Sequence, residues 1–257
     1  MKTSNRMLLI FSALGVLIML ALGTWQVQRL QWKNDLIEKR RLALESKPVT
    51  LFDIEAGIEH GFDVDWLKTT ATGKFRHDLE RHVYHLRNGK IGWRVITPFV
   101  VPGSLVVMVD RGFVPDDKKD PKTRAENEAP ANAEDGSVTI TGYARLDGGL
   151  AGPFTPANEP DANRWYSIDL IAMAKTMPDN LGFVAPDRYA ALVPVFIQLQ
   201  PDAETKPGEL PIVDPVDVKL RNNHLQYAIT WYALALVLIV ISFLFYRSRN
   251  SSKDPAS

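Results

Sequence analysis

Few residues in this sequence are of types that do chemistry, and their spacing narrows them further. There is no cysteine. Disulfides, CxxC redox centres, c-type haem attachment, thiolate metal sites and a thiol nucleophile are therefore excluded. No GxSxG elbow, HExxH helix or P-loop occurs. The five histidines can be taken singly. His77, His82 and His85 cluster, which raises metal binding. On a strand the side-chain period of two sends His82 and His85 to opposite faces. No carboxylate or fourth ligand stands at a ligand spacing, so a strand-and-loop reading is preferred. His60 lies in a polar stretch and carries no signal.

His224 differs, because it heads a long uncharged run in RNNHLQYAIT. An ionisable side chain at the edge of a hydrocarbon span is a functional-site candidate. Neutral imidazole is also an axial ligand of haem iron. Tyr227, Ala228 and Trp231 follow at i+3, i+4 and i+7 and share its helical face. The small Ala228 leaves room, and the two aromatic side chains could flank a flat macrocycle. A histidine capping the helix beside Asn222 and Asn223 explains the same residues about equally well. Two other polar stretches read as structure. Asp110-Arg111-Gly112 reads as an arginine paired with a carboxylate at a strand end, with glycine for the turn. FTPANEPDANRWYSID reads as a loop anchored by a buried Trp165.

The elements that must position these groups begin with two apolar runs. Residues 7–22, extended through 23–27, and residues 225–246 carry no charge. At ~1.5 Å per residue each reaches the ~30 Å of a bilayer core. Lys2 and Arg6 precede the first run, and Ala21-Leu22-Gly23 has the form of a signal-peptidase triplet. Its length favours an uncleaved anchor. Tyr227, Trp231, Tyr232 and Tyr246 sit where interfacial aromatics do. Lys/Arg counts leave the orientation ambiguous, but a short tail before a long middle favours both termini inside and the middle outside. Thirty basic and thirty acidic residues, for a net charge of +0, leave no footprint for nucleic acid. The mean hydropathy of −0.11 conceals the two spans. The chain thus divides into a tail (1–6), a first span (7–27), a middle (28–223), a second span (224–246) and a tail (247–257).

In the middle, Leu30, Ile37 and Leu44 recur every seven residues, so 25–45 reads as a helix continuing the first span. Strands are expected at 68–75, 82–86, 93–101, 105–109, 138–145 and 192–199. Asn88-Gly89 marks a hairpin. Pro194 suggests an edge strand. Residues 167–177 read as a short helix capped by Ser167 or Asp169. Residues 114–136 read as a charged surface loop, and 201–215 as an extended Pro-rich run. The fold class is α+β, mostly antiparallel sheet or a small barrel, between two terminal transmembrane helices.

Several stretches then carry a resemblance. GTWQVQRLQWKNDL (23–36), VITPFV (95–100), VDRGFVP (109–115), GPFTPANEPDANRWYSIDLIAM (152–173), PVFI (194–197) and RNNHLQYAITWYAL (221–234) occur in order between two spans. In this the chain resembles the surfeit locus protein 1 family of cytochrome c oxidase assembly factors. The resemblance implies a non-enzymatic membrane protein with its soluble domain in the intermembrane space or periplasm. The short segment before the first span points to a bacterial inner-membrane member. It implies maturation of the oxidase catalytic subunit, with haem a delivered or inserted into subunit I and haem a synthase as a further partner. His224 stands at the family's proposed haem-ligand position. Trp231 matches a nearby tryptophan, and Tyr227 completes the candidate cofactor-binding set. Gly112 and the Trp25-Gln26 pair match positions without an assigned role. The competing reading is a haem-free scaffold that binds oxidase subunits or the synthase. An enzyme lacks an acid, base and nucleophile set, and a sensor lacks an output module.

Overall fold

The computed structural model describes residues 3–102, 105–124, 136–146, 152–178, 192–201, 209–216 and 222–251. Residues 1–2 and 252–257 of the expected tails, part of the 114–136 loop and part of the 201–215 run fall outside the described residues. In chain order the elements are α1 (Thr3–Glu45), β1 (Val49–Thr50), α2 (Leu51–Glu59), β2 (Lys68–Phe75), β3 (Arg81–Arg87), β4 (Lys90–Val101), β5 (Leu105–Pro115), β6 (Val138–Leu146), α3 (Leu170–Lys175), β7 (Leu192–Leu199) and α4 (His224–Ser251). They fall into two units, residues 1–40 with 217–257, and residues 41–216.

The first unit is made by α1 and α4, both long and apolar enough to cross a membrane. α1 runs unbroken from the apolar run into the charged heptad stretch, as the spacing predicts. The flanks of both helices expose Ile10, Phe11, Leu17, Leu236, Ile241 and Phe243. Such side chains are at home in hydrocarbon.

The second unit is a closed five-strand barrel with flanking elements. The strands follow the order β2–β6–β7–β5–β4, and β4 returns to β2 through Lys74↔Val100 and Phe75↔Phe99. β4 is long enough to have two neighbours along one edge. Its first half pairs with β3, and its far end closes on β2. A register shift between Arg94 and Ile96 marks where the strand bends. The β3–β4 hairpin turns on Asn88 (φ 50°) and Gly89 (φ 78°), the left-handed pair that a two-residue turn requires.

Phe99, Val107, Val109, Ile140, Val195 and Ile197 fill the barrel, and Leu51 and Ile54 of α2 join the same core. Thr50 and Asp53 cap α2 reciprocally. The alternate residues Val106 and Met108 face outward, under Trp165 and α3. This double coverage explains why 105–109 reads LVVMV without alternation. Asp169, and not Ser167, caps α3, its carboxylate accepting from Ala172 N at 2.9 Å.

Pro194 corrects the edge-strand expectation. β7 lies inside the barrel, parallel to β5 and antiparallel to β6. The β5–β7 register shifts around the proline, with Val106 opposite Leu192 and Met108 opposite Phe196. A bulge frees the proline from donating to the ladder. β5 also runs further than expected, to Pro115, before short 3₁₀ turns at Asp116–Lys118 and Pro121–Thr123.

Candidate functional site

In the helix pair, contacts run antiparallel along the two chains. A Cβ on Gly15 would meet Leu238 at 3.1 Å, and one on Gly23 would meet the Tyr232 ring at 2.8 Å. Ala228 and Ala235 are buried in the same unit. Small residues let membrane helices approach closely, where dispersion rather than the hydrophobic effect holds them. Polar pairs cross one end of the seam. Thr24 Oγ1 and Tyr232 Oη lie 3.1 Å apart, and Asn222 Nδ2 donates to Asn34 Oδ1 at 2.9 Å. His224, the first residue of α4, bonds through Nδ1 to Gln26 Oε1 at 2.7 Å. An amide carbonyl only accepts, so Nδ1–H donates. His224 Nε2 has no partner among the described residues.

The sequence-predicted group is therefore distributed as follows. His224 is half-buried beside α1, Trp231 is half-buried one helical repeat on, and Tyr227 is 54% exposed. Ala228, which was expected to leave space, is 2% exposed and lies in the seam. The seam fills that space, so any flat ligand on Nε2 lies outside it. The Gln26 partnership was missed. Its sequence signal was a polar residue within an apolar helix end, but nothing in the spacing ties residue 26 to residue 224.

The barrel unit holds a second polar cluster, wholly internal. Glu80, His82 and Arg124 are buried. Arg124 is ion-paired to Glu80, and its Nη2 also donates to Lys119 O at 2.9 Å. His82 Nε2 lies 2.8 Å from Glu80 Oε1, and Asn163 Nδ2 lies 3.1 Å from His82 Nδ1. Asn163, left-handed at φ 44°, also donates to Glu80 O and accepts from Trp165 Nε1. Burial raises the Glu80 carboxyl, but the bonds from His82 and Arg124 outweigh it and hold the group below the usual carboxylate range. Trp165 is fully buried, and its backbone pairs with β3 through His82 O and Tyr84 N. The loop at 152–173 is thus the wall of this cluster, with Trp165 as its anchor.

Asp110 and Arg111 do not pair with each other. Neighbours on a strand face opposite sides. Asp110 pairs with Arg94 and accepts from Gly112 N. Arg111, buried, reaches His77 Nδ1 at 2.9 Å. Burial lowers His77 to about 4, helped by Arg111, so the ring is neutral and accepts from the guanidinium. Burial likewise brings Arg111 down to about 10. Gly112 makes no turn. It lies within β5 at φ 116°, where a Cβ would collide with the Ile212 carbonyl. Its hydrogen side lets residues 209–216 dock on β5, with Phe113 N donating to Ile212 O at 2.9 Å and Ile212 N to Phe113 O at 2.7 Å.

Between that segment and the barrel wall lies a cleft of about 260 Å³, lined by His85, Arg94, Asp110, Gln198 and Asp214 among others. Burial, with Arg94 nearby, lowers the His85 pKa below its ordinary value. Arg87 and Asp214 bridge the mouth at 2.6 Å. Drug-sized ligands occupy ~300–1,000 Å³, so this cleft is too small to enclose a macrocycle. Among the described residues no group of three histidine, aspartate or glutamate side chains could hold a metal.

Two helices long and apolar enough to cross a membrane, and a small barrel, define a class in which one such helix is headed by a histidine that has, among the described residues, a single ring nitrogen engaged. Comparison with known proteins then places the chain within it. The model of the SURF1 family matches residues 13–236. A SURF1-like protein of Monosiga brevicollis is 30% identical over 245 residues, covering 91% of this chain and 85% of that protein. Surfeit locus protein 1 of Gallus gallus is 34% identical over 251 residues, 88% of this chain and 70% of that one. A SURF1-like protein of the bacterium Rickettsia felis is 28% identical over 256 residues, 96% and 98% respectively. The chain belongs to the SURF1 family, whose members are known as cytochrome c oxidase assembly factors.

Proposed function

We propose that this protein is a two-pass inner-membrane assembly factor for cytochrome c oxidase that binds haem a through His224 and supports its insertion into subunit I. The carrying observation is the state of His224. One ring nitrogen is held by Gln26, and the other has no partner among the described residues. A neutral imidazole with one nitrogen donating offers its lone pair at the other, which is the state a haem ligand needs. The residues present therefore fit the group. Haem a would supply a Lewis-acidic iron and a redox-active macrocycle. His224 would supply a nitrogen to hold it, the seam residues hold the helix head in place, and the exposed Tyr227 offers an aromatic surface. A single protein ligand would suit a carrier, because one bond exchanges more readily than two. The reading places the barrel in the periplasm, with haem a synthase as the source of the cofactor.

The test uses the full-length protein purified from cells that make haem a. It should carry a haem a optical spectrum, and His224→Ala should lose it. A deletion strain should yield subunit I depleted in haem a. Full haem occupancy in the His224→Ala protein would remove the site assignment.

A specific observation supports a second reading, a haem-free scaffold for oxidase subunits. The barrel unit exposes large apolar side chains, Phe154 at 96% and Phe62 at 71%. Surfaces of this kind mark protein contacts when they form patches. Recovery of oxidase subunits with the protein and no haem at all would favour it.

A further inference from the structure

We infer that Gln26 is the positioning residue of His224: its side-chain carbonyl fixes the imidazole as the Nδ1–H tautomer and leaves Nε2 as the ligating atom. The purpose of this arrangement rests on the haem reading above, whereas the arrangement itself does not. A neutral imidazole has one donor and one acceptor nitrogen, and the partner of one sets the role of the other. Gln26 is buried to 9% exposure, and its Oε1 stands 2.7 Å from His224 Nδ1. The reverse arrangement, with the Gln26 amide donating to Nδ1, puts the proton on Nε2 and abolishes ligation there.

Gly23 brings the two side chains together. It lies three residues before Gln26 on α1, and the Tyr232 ring occupies the place of its missing side chain, 2.8 Å from where a Cβ would stand. That close approach brings the head of α4 within reach of a glutamine. The chemical identity of the partner also matters. A carboxylate behind a metal-bound imidazole raises its basicity and tightens the metal bond. An amide carbonyl orients the ring while adding no charge. A neutral partner thus gives a correctly aimed but weakly donating ligand, which suits a protein that must release its cargo. It also avoids a bare carboxylate near hydrocarbon.

The experiment has a haem-free arm and a haem-loaded arm, both on the full-length chain in lipid nanodiscs. In the first, nitrogen-15 NMR of labelled histidine reads the tautomer of His224. The wild type should be Nδ1–H. Gln26→Leu should lose that preference, Gln26→Glu should keep it, and Gly23→Ala should weaken it by parting the helices. In the second, ferric haem a is titrated in. Gln26→Leu should bind ~10–100-fold more weakly, the range seen when a ligand's supporting partner is lost. Gln26→Glu should release haem more slowly than wild type and shift the iron–histidine stretch to higher frequency. An Nε2–H tautomer in the wild type, or an unchanged tautomer in Gln26→Leu, overturns the inference whether or not haem binds. Failure of haem to bind any variant, with the tautomers as stated, leaves the inference standing and removes the haem reading instead. Gln26→Glu covers the case in which Gln26→Leu does not fold.

Discussion

Two histidines, one in each unit, are held by polar side chains, and they are held differently. His82 has both ring nitrogens engaged, by Glu80 and Asn163, inside a cluster sealed by Trp165. His224 has one nitrogen engaged, by Gln26, at the end of a helix seam. A buried histidine with both ring nitrogens engaged in a polar network rigidifies the fold, and it leaves no ring nitrogen over to bind a ligand. A histidine with one nitrogen held and one open is oriented without being consumed. The first contributes to stability, and the second keeps one ring nitrogen open, as the proposed ligand role requires.

The largest expected effect falls on the sealed cluster. Glu80→Ala leaves Arg124 buried without its carboxylate and should lower stability by ~3–5 kcal/mol. Denaturant unfolding of the full-length protein in detergent reads this directly, and a loss below 1 kcal/mol would break the contrast. Next comes Gly112→Val, which drives a side chain into the Ile212 carbonyl and should lift the 209–216 segment from β5. Overpacking of this kind costs ~1–3 kcal/mol. Faster amide exchange at Phe113 and Ile212 would accompany it, and unchanged exchange would show that the segment docks without that close approach.

A smaller effect is set by pH. His77 has a folded pKa of about 4 against an ordinary 6.5, so the unfolded chain takes up the proton first. Its contribution is therefore complete above pH 6.5 and declines as the pH falls toward 4. His77→Gln should flatten the stability profile in that window. An identical slope in the variant would mean that other groups dominate there. The smallest stability change is expected at His224. His224→Leu removes the bond to the buried Gln26 and should cost ~1 kcal/mol, read from the melting temperature, while abolishing haem uptake. A loss comparable to that of Glu80→Ala would place His224 with the structural group and collapse the distinction.

Much of the architecture was legible because its signals are local. Charge-free runs longer than a bilayer is thick, a seven-residue apolar repeat, period-two strands and an Asn-Gly turn each act within a few residues. They announced α1, α4, the barrel strands and the β3–β4 hairpin. Local reading failed where a neighbour in space competed with a neighbour in sequence. Asp110 and Arg111 are adjacent in sequence, but strand alternation separates them and Arg94 takes the Asp110 carboxylate. Pro194 looked like an edge residue, but a register shift lets it stay inside the barrel. Ala228 looked like open space, but the helix seam closes over it.

By itself, the sequence determined the two long apolar helices and most of the barrel strands, though not α2 or the full length of β5, and it singled out His224 as the ionisable group at the head of the second apolar run. Only the tertiary structure decided what each polar group is for. The bonds that make the decision join residues far apart in the chain, Glu80 to Arg124, His82 to Asn163 and His224 to Gln26. Their geometry depends on barrel closure and on helices meeting at glycine. No periodicity records such pairings, because the chain between the partners is free to be any length that lets the surfaces meet.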